Sequence, residues 1–148
     1  MAIAVKYVAL FAPDLPKAES FYCQTLGMEV RFRESEQDGT WRTLRPGLGW
    51  DDAESHGIEI GMVALRREEL VLALFRGTPQ PGTLHELCLG VSPTEIDAIR
   101  TRLAEDAEIL ESRRHWLRFR DPFGLQWAIQ PIDATFSSSG EIAGRWID

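Results

Sequence analysis

Apolar and polar positions change period twice along this chain, in the same order each time. Residues 6–12 (KYVALFA) form a short apolar run rich in β-formers, which predicts a strand. Leu15, Ala18, Phe21, Tyr22 and Leu26 then recur at helical spacing as one stripe. Asp14 is placed as the helix N-cap, Pro16 fits the first turn, and Gly27 is a left-handed terminator. Strand patterns follow at 28–33, at 40–44 beyond the Asp38-Gly39 turn, at 58–65 and at 70–75. A turn at 66–69 joins the last two as a hairpin.

The second round begins with 84–91 (LHELCLGV), another strand. Ser92-Pro93-Thr94-Glu95 starts a helix with a Ser cap, a first-turn Pro and a Glu placed to close a capping box. Ile96, Ile99 and Leu103 supply its buried stripe, and strands recur at 108–111, 116–120 and 126–130. Strand, helix and several strands thus occur twice, with Tyr7 and Glu86 in equivalent places at the two heads. Such a repeat predicts two similar modules produced by duplication. Within a single domain over 1–148, they span 1–76 and 83–133, with a Pro/Gly-rich linker at 77–82 and a C-terminal tail at 134–148. The stretch 45–56 (RPGLGWDDAESH) reads as a polar acidic loop, and Trp146 in the tail is placed to dock back.

Composition narrows the function. The net charge of −7 argues against nucleic acid as a partner, and the short basic run at Arg113, Arg114 and His115 reads as a solvated strand edge. No apolar run approaches the roughly 20 residues that cross a bilayer, and the N-terminus lacks the pattern of a signal peptide. A cytoplasmic location is expected, with no membrane partner. Cys23 and Cys88 have no C-x-x-C spacing and read as buried thiols. No phosphate-cradling glycine loop and no nucleophile elbow occurs.

The stretches YVALFAPDLPKAESFYCQTLGMEV and RDPFGLQWAIQP resemble the opening strand–helix and the closing hairpin of the vicinal oxygen chelate superfamily. That group includes glyoxalases, bleomycin and fosfomycin resistance proteins and extradiol dioxygenases. The resemblance implies an α+β fold of two βαβββ modules whose curled sheets surround a cavity. It also implies a homodimer. Metal-using members place ligands at four strand positions, which map here onto Tyr7, Ala73, Glu86 and Ala128. Two methyl groups, a phenol and one carboxylate cannot converge on a divalent ion, so no metal and no cofactor are expected. His85 is the place where a slip in the mapping would matter. His56, in the acidic loop with Asp51, Asp52 and Glu54, is the other candidate for a rearranged ligand.

The remaining candidates surround the mapped positions. Glu86 is an acid in an otherwise apolar strand, able to act as a general base or a ligand anchor, or to pair with Arg118 or Arg120. Tyr7 can donate to a ligand oxygen or steady an anion, and Phe11 lies on the same strand. Alternation places Trp116 and Arg118 on one face, with Gln126, Ala128 and Gln130 on the next strand, and sends Trp127 into the core. The expected function is metal-independent binding of an aromatic or partly cationic small molecule. The alternative is a lyase, isomerase or dioxygenase of the same superfamily, with Glu86 and Tyr7 as its catalytic groups.

Overall fold

The computed structural model describes residues 7–79, 84, 86–134 and 144. The first module runs β1 (Val8–Ala12), α1 (Leu15–Leu26), β2 (Glu29–Gln37), β3 (Thr40–Thr43), α2 (Trp50–Ser55), β4 (Met62–Arg67) and β5 (Leu70–Arg76). The second runs β6 (Leu87–Val91), α3 (Pro93–Arg102), β7 (Glu108–Arg113), β8 (Trp116–Arg120) and β9 (Gln126–Pro131). Their sheets have the orders β1-β5-β4-β2-β3 and β6-β9-β8-β7. In each, the first strand pairs in parallel with the last, and the other pairings are antiparallel. The α+β fold and the duplicated βαβββ plan are therefore present, with β3 as an added edge strand.

The caps form as their residues dictate. Asp14 accepts from the Lys17 N–H at 3.1 Å, and Gly27 closes α1 at φ 64°, a conformation that favours glycine. Ser92 accepts from the Glu95 N–H at 3.3 Å. The capping box stays half formed, because the Glu95 carboxylate turns instead to Arg67 (2.7 Å) and Arg102 (3.0 Å). The stretch 45–56 departs from the expected loop: it contains the short helix α2, whose Trp50 and Ala53 pack on the core. Trp50 donates to Glu19 on α1, and Arg33 of β2 grips the same carboxylate with two bonds. Strand β4 starts later than the apolar pattern suggests. Ile58 and Ile60 precede it, Ile60 buried and Ser35 donating to the Glu59 carbonyl between them.

One face of each sheet packs on the helices. Leu72, Leu74, Val63 and Leu65 do so in the first module, and Leu117, Phe119, Trp127 and Ile129 in the second, all within one cluster that includes both helix stripes. At its centre Asp121, from the Asp-Pro-Phe-Gly bend, accepts four hydrogen bonds. Two come from the Phe123 and Leu125 backbone, one from Trp127 and one from Tyr22 of the other module. Trp127 thus points into the core as alternation predicts. Helix α1 contacts α3, so the modules meet through their helical layers. Their opposite sheet faces point away from the shared core, and the two sheets do not close on each other within one chain. Gln80 to Gly82 of the linker, Thr83, His85, and Ser137 to Ser139 and Trp146 of the tail lie outside the described residues. No helix among the described residues is long and apolar enough to cross a membrane.

Candidate functional site

Duplication gives the two outward faces matching registers. Across the first sheet one row reads Ala9, Ala73, Ala64 and Phe32. Its counterpart in the second reads Cys88, Ala128, Arg118 and Glu111. Two residues before the first member of each row stand Tyr7 and Glu86, equivalent as expected. The same frame makes one face apolar and the other charged.

On the charged face, Arg118 donates from Nε to Glu86 at 2.6 Å and from Nη1 to Glu111 at 3.1 Å. Its guanidinium lies over the Trp116 ring, 5.0 Å from the centroid. Trp116 donates to Glu111 at 2.7 Å, and Gln126 donates to Glu86 at 2.9 Å. Arg120 pairs with Glu108, and Arg113 with Glu111. Three carboxylates therefore meet three guanidiniums, and Ala128 forms a fully buried floor beneath them. The pairing that the sequence left open for Glu86 is with Arg118. A carboxylate committed to a guanidinium and an amide must break those bonds before it can take a substrate proton, which weighs against the base role. The cysteines are not the buried thiols expected: Cys23 is half-buried and Cys88 exposed, though partial desolvation first, and then the Glu86 charge, push the Cys88 thiol pKa up, with Arg118 offsetting in part. The Cys88 thiol stays protonated at neutral pH and is a poor nucleophile.

On the apolar face, Tyr7 is 61% exposed and Phe11 54% exposed. The Phe11 ring rests on Gly77, where a Cβ would come within 2.7 Å of Phe11 Cδ1. Trp41 meets Phe75 edge-on at 6.0 Å and covers Gly61. Ala73 and Ala64 leave the middle of this wall flat.

Tyr7, Phe11 and Ala73 thus share the apolar face, and Glu86, Trp116, Arg118, Gln126 and Ala128 the charged one. The chain does not bring the two sets together. The donor set does not fit a divalent ion: Ala73 and Ala128 offer methyl groups, Tyr7 is on the other sheet face, and Glu86 is already engaged. Among the described residues no group of three or more His, Cys, Asp or Glu could hold a metal. His56 binds the Asp52 carbonyl, which belongs to its own helix end. Glu111 was missed in the sequence because a bulge between Ile109 and Glu111 shifts the alternation by one, bringing Glu111 opposite Arg118. Trp41 and Phe75 lie on different strands, β3 and β5, and no local spacing in the sequence pairs them.

Solved structures share this architecture at low identity. A fosfomycin resistance protein, FosX, from Listeria monocytogenes superposes with a TM-score of 0.63 at 14% identity, covering 98% of this chain and 100% of that one. TioX from Micromonospora sp. ML1 gives 0.56 at 16% identity, over 86% and 98%. Lactoylglutathione lyase from Agrobacterium tumefaciens gives 0.53 at 20%, over 86% and 92%. FosX has been solved with Mn(II) and sulfate bound. No curated protein matches the chain by sequence. The family model covers residues 4–129, so the chain belongs to the Glyoxalase/Bleomycin resistance protein/Dioxygenase superfamily.

Proposed function

We propose that this chain is a metal-independent small-molecule binding protein, and that it works as a cytoplasmic homodimer. The observation that carries the reading is the open aromatic face of Tyr7, Phe11, Trp41 and Phe75, set on an alanine floor. Such a face suits a flat ring by stacking and a cationic group by its π-electrons, so the ligand is aromatic or partly cationic. The Trp116–Arg118 stack and Gln126 supply polar contacts from the second module. Because the two outward faces of one chain diverge, a second copy must bring its charged face over the aromatic one. Among the described residues β1 and β6 are edge strands, with exposed Phe11 on β1 and exposed Ile132 beside β6, and they offer that copy a place to meet.

The test is tryptophan quenching by three flat probes of different charge: proflavine, riboflavin and anthraquinone-2-sulfonate. Saturable binding is expected for at least one of them, unchanged by EDTA, weakened by Phe11→Ala and by Arg118→Met. Binding or turnover that required an added divalent cation would overturn the reading, as would a strictly monomeric protein in light scattering.

A further inference from the structure

Away from both outward faces, a crevice of about 480 Å³ opens where the end of α1 meets the β4–β5 hairpin. Gly27, Glu29, Arg31, Arg66, Arg67 and Glu68 line it. Arg31 is the extra residue of a bulge in β2 between Val30 and Phe32, outside the pairing register with β4. Arg67 is spoken for, holding the Leu26 carbonyl and Glu95. Arg66 donates from Nε to the Glu68 carbonyl at 2.7 Å, and among the described residues its remaining N–H groups have no partner. Glu68 in turn sits at φ 52°, a left-handed conformation that costs a non-glycine residue energy. Glu29 and Arg66 are register partners across β2 and β4, yet among the described residues no ion pair joins Glu29, Arg31, Arg66 or Glu68.

We propose that this crevice is a binding site for a small zwitterion, its anionic head held by Arg31 and Arg66 and its ammonium by Glu29 and Glu68. Two guanidiniums with free N–H groups recognise a carboxylate or phosphate oxygen pair. A lone anion meets the two carboxylates as repulsion, and a lone cation meets the guanidiniums likewise. Only a ligand carrying both charges satisfies the lining. The site is separate from the aromatic face, and its fate does not depend on the function proposed there.

Amide NMR titration of the full chain tests this with γ-aminobutyrate, butyrate and n-butylamine as probes. Saturable shifts at Gly27, Arg66 and Glu68 are expected with γ-aminobutyrate, whose affinity should exceed that of either singly charged probe by about fivefold, the scale of one exposed charge pair. Arg31→Ala and Glu68→Gln should each weaken γ-aminobutyrate by a similar factor, while Arg31→Lys retains part of the binding. Circular dichroism melts identify any variant that fails to fold. Butyrate or butylamine binding as tightly as γ-aminobutyrate, shifts that never saturate, or an unchanged affinity in folded Arg31→Ala would each overturn the assignment.

Discussion

Replacing Tyr22 by Phe tests the join between the two modules. The Tyr22 hydroxyl lies 2.5 Å from Asp121 Oδ2, which also accepts from Trp127 Nε1 at 2.9 Å. Oδ1 accepts from the Phe123 and Leu125 backbone N–H groups, each at 2.9 Å. Asp121 is 3% exposed, Tyr22 2% and Trp127 0%, so water cannot replace a lost donor. A hydrogen bond to a charged acceptor contributes about 1.5–3 kcal/mol. The Phe ring would keep the edge-on contacts with Phe21 (5.3 Å) and Trp127 (5.6 Å), so no cavity adds to the loss. For a domain of this size each kcal/mol moves Tm by about 2–4 °C, so Tyr22→Phe should lower it by about 3–12 °C. Asp121→Asn should cost more, about 3–5 kcal/mol. Whichever way the amide is turned, its NH₂ faces at least one N–H donor left without an acceptor: Trp127 on one side, the Phe123 and Leu125 backbone on the other.

The same residue gives a pH signature. Burial first, then the charge and hydrogen bond of Asp121, hold the Tyr22 pKa well above its ordinary value. The unfolded chain titrates this phenol near pH 10, so the folded state favours the protonated form. Its contribution is full below about pH 10 and is lost as pH rises beyond that. Urea midpoints measured between about pH 9 and pH 11 should therefore fall more steeply in the parent than in Tyr22→Phe. A Tm change within about 1 °C, together with parallel alkaline slopes, would refute the assignment of Tyr22 as the clasp.

Further outcomes follow from other contacts. Glu19→Gln removes the carboxylate that holds both Arg33 and Trp50, so Trp50 emission should shift to the red and proteolysis near α2 should quicken. At Glu95, burial raises the pKa, but the hydrogen bonds and charges of Arg67 and Arg102 overcome it and leave the carboxyl below its ordinary value. Its contribution is therefore present above about pH 4.5 and lost as pH falls further, and Glu95→Gln should flatten the acid limb of a stability profile. Glu68→Gly relieves a left-handed residue and should raise the urea midpoint by up to about 1 kcal/mol equivalent. Phe11→Ala should shift the monomer–dimer equilibrium toward monomer in light scattering if the aromatic face is where copies meet.

The fold was legible because its signals are local. Asp14, Gly27, Ser92 and the stripes of α1 and α3 each act within a few residues, and they form where the pattern puts them, save that Leu103 ends α3 as its half-buried C-cap. Helix α2 escaped because two apolar residues three apart make no stripe, and what seats it is Glu19, 31 positions before Trp50. The face-sharing of Trp116 with Arg118, and the inward turn of Trp127, followed from counting by twos along strands without irregularity. Counting by twos fails at a bulge, and each module has one in the first strand after its long helix. In the second module the slip brings Glu111 onto the Arg118 row, completing a charge network that the sequence could not show. In the first it takes Arg31 out of register, and Arg31 lines one crevice with Arg66. The irregular residue thus adds to the chemical difference between the two copies: the same local break in pairing brings Glu111 into an ion network in one module, and in the other leaves Arg31 lining a crevice whose Glu29, Arg66 and Glu68 form no ion pair among the described residues.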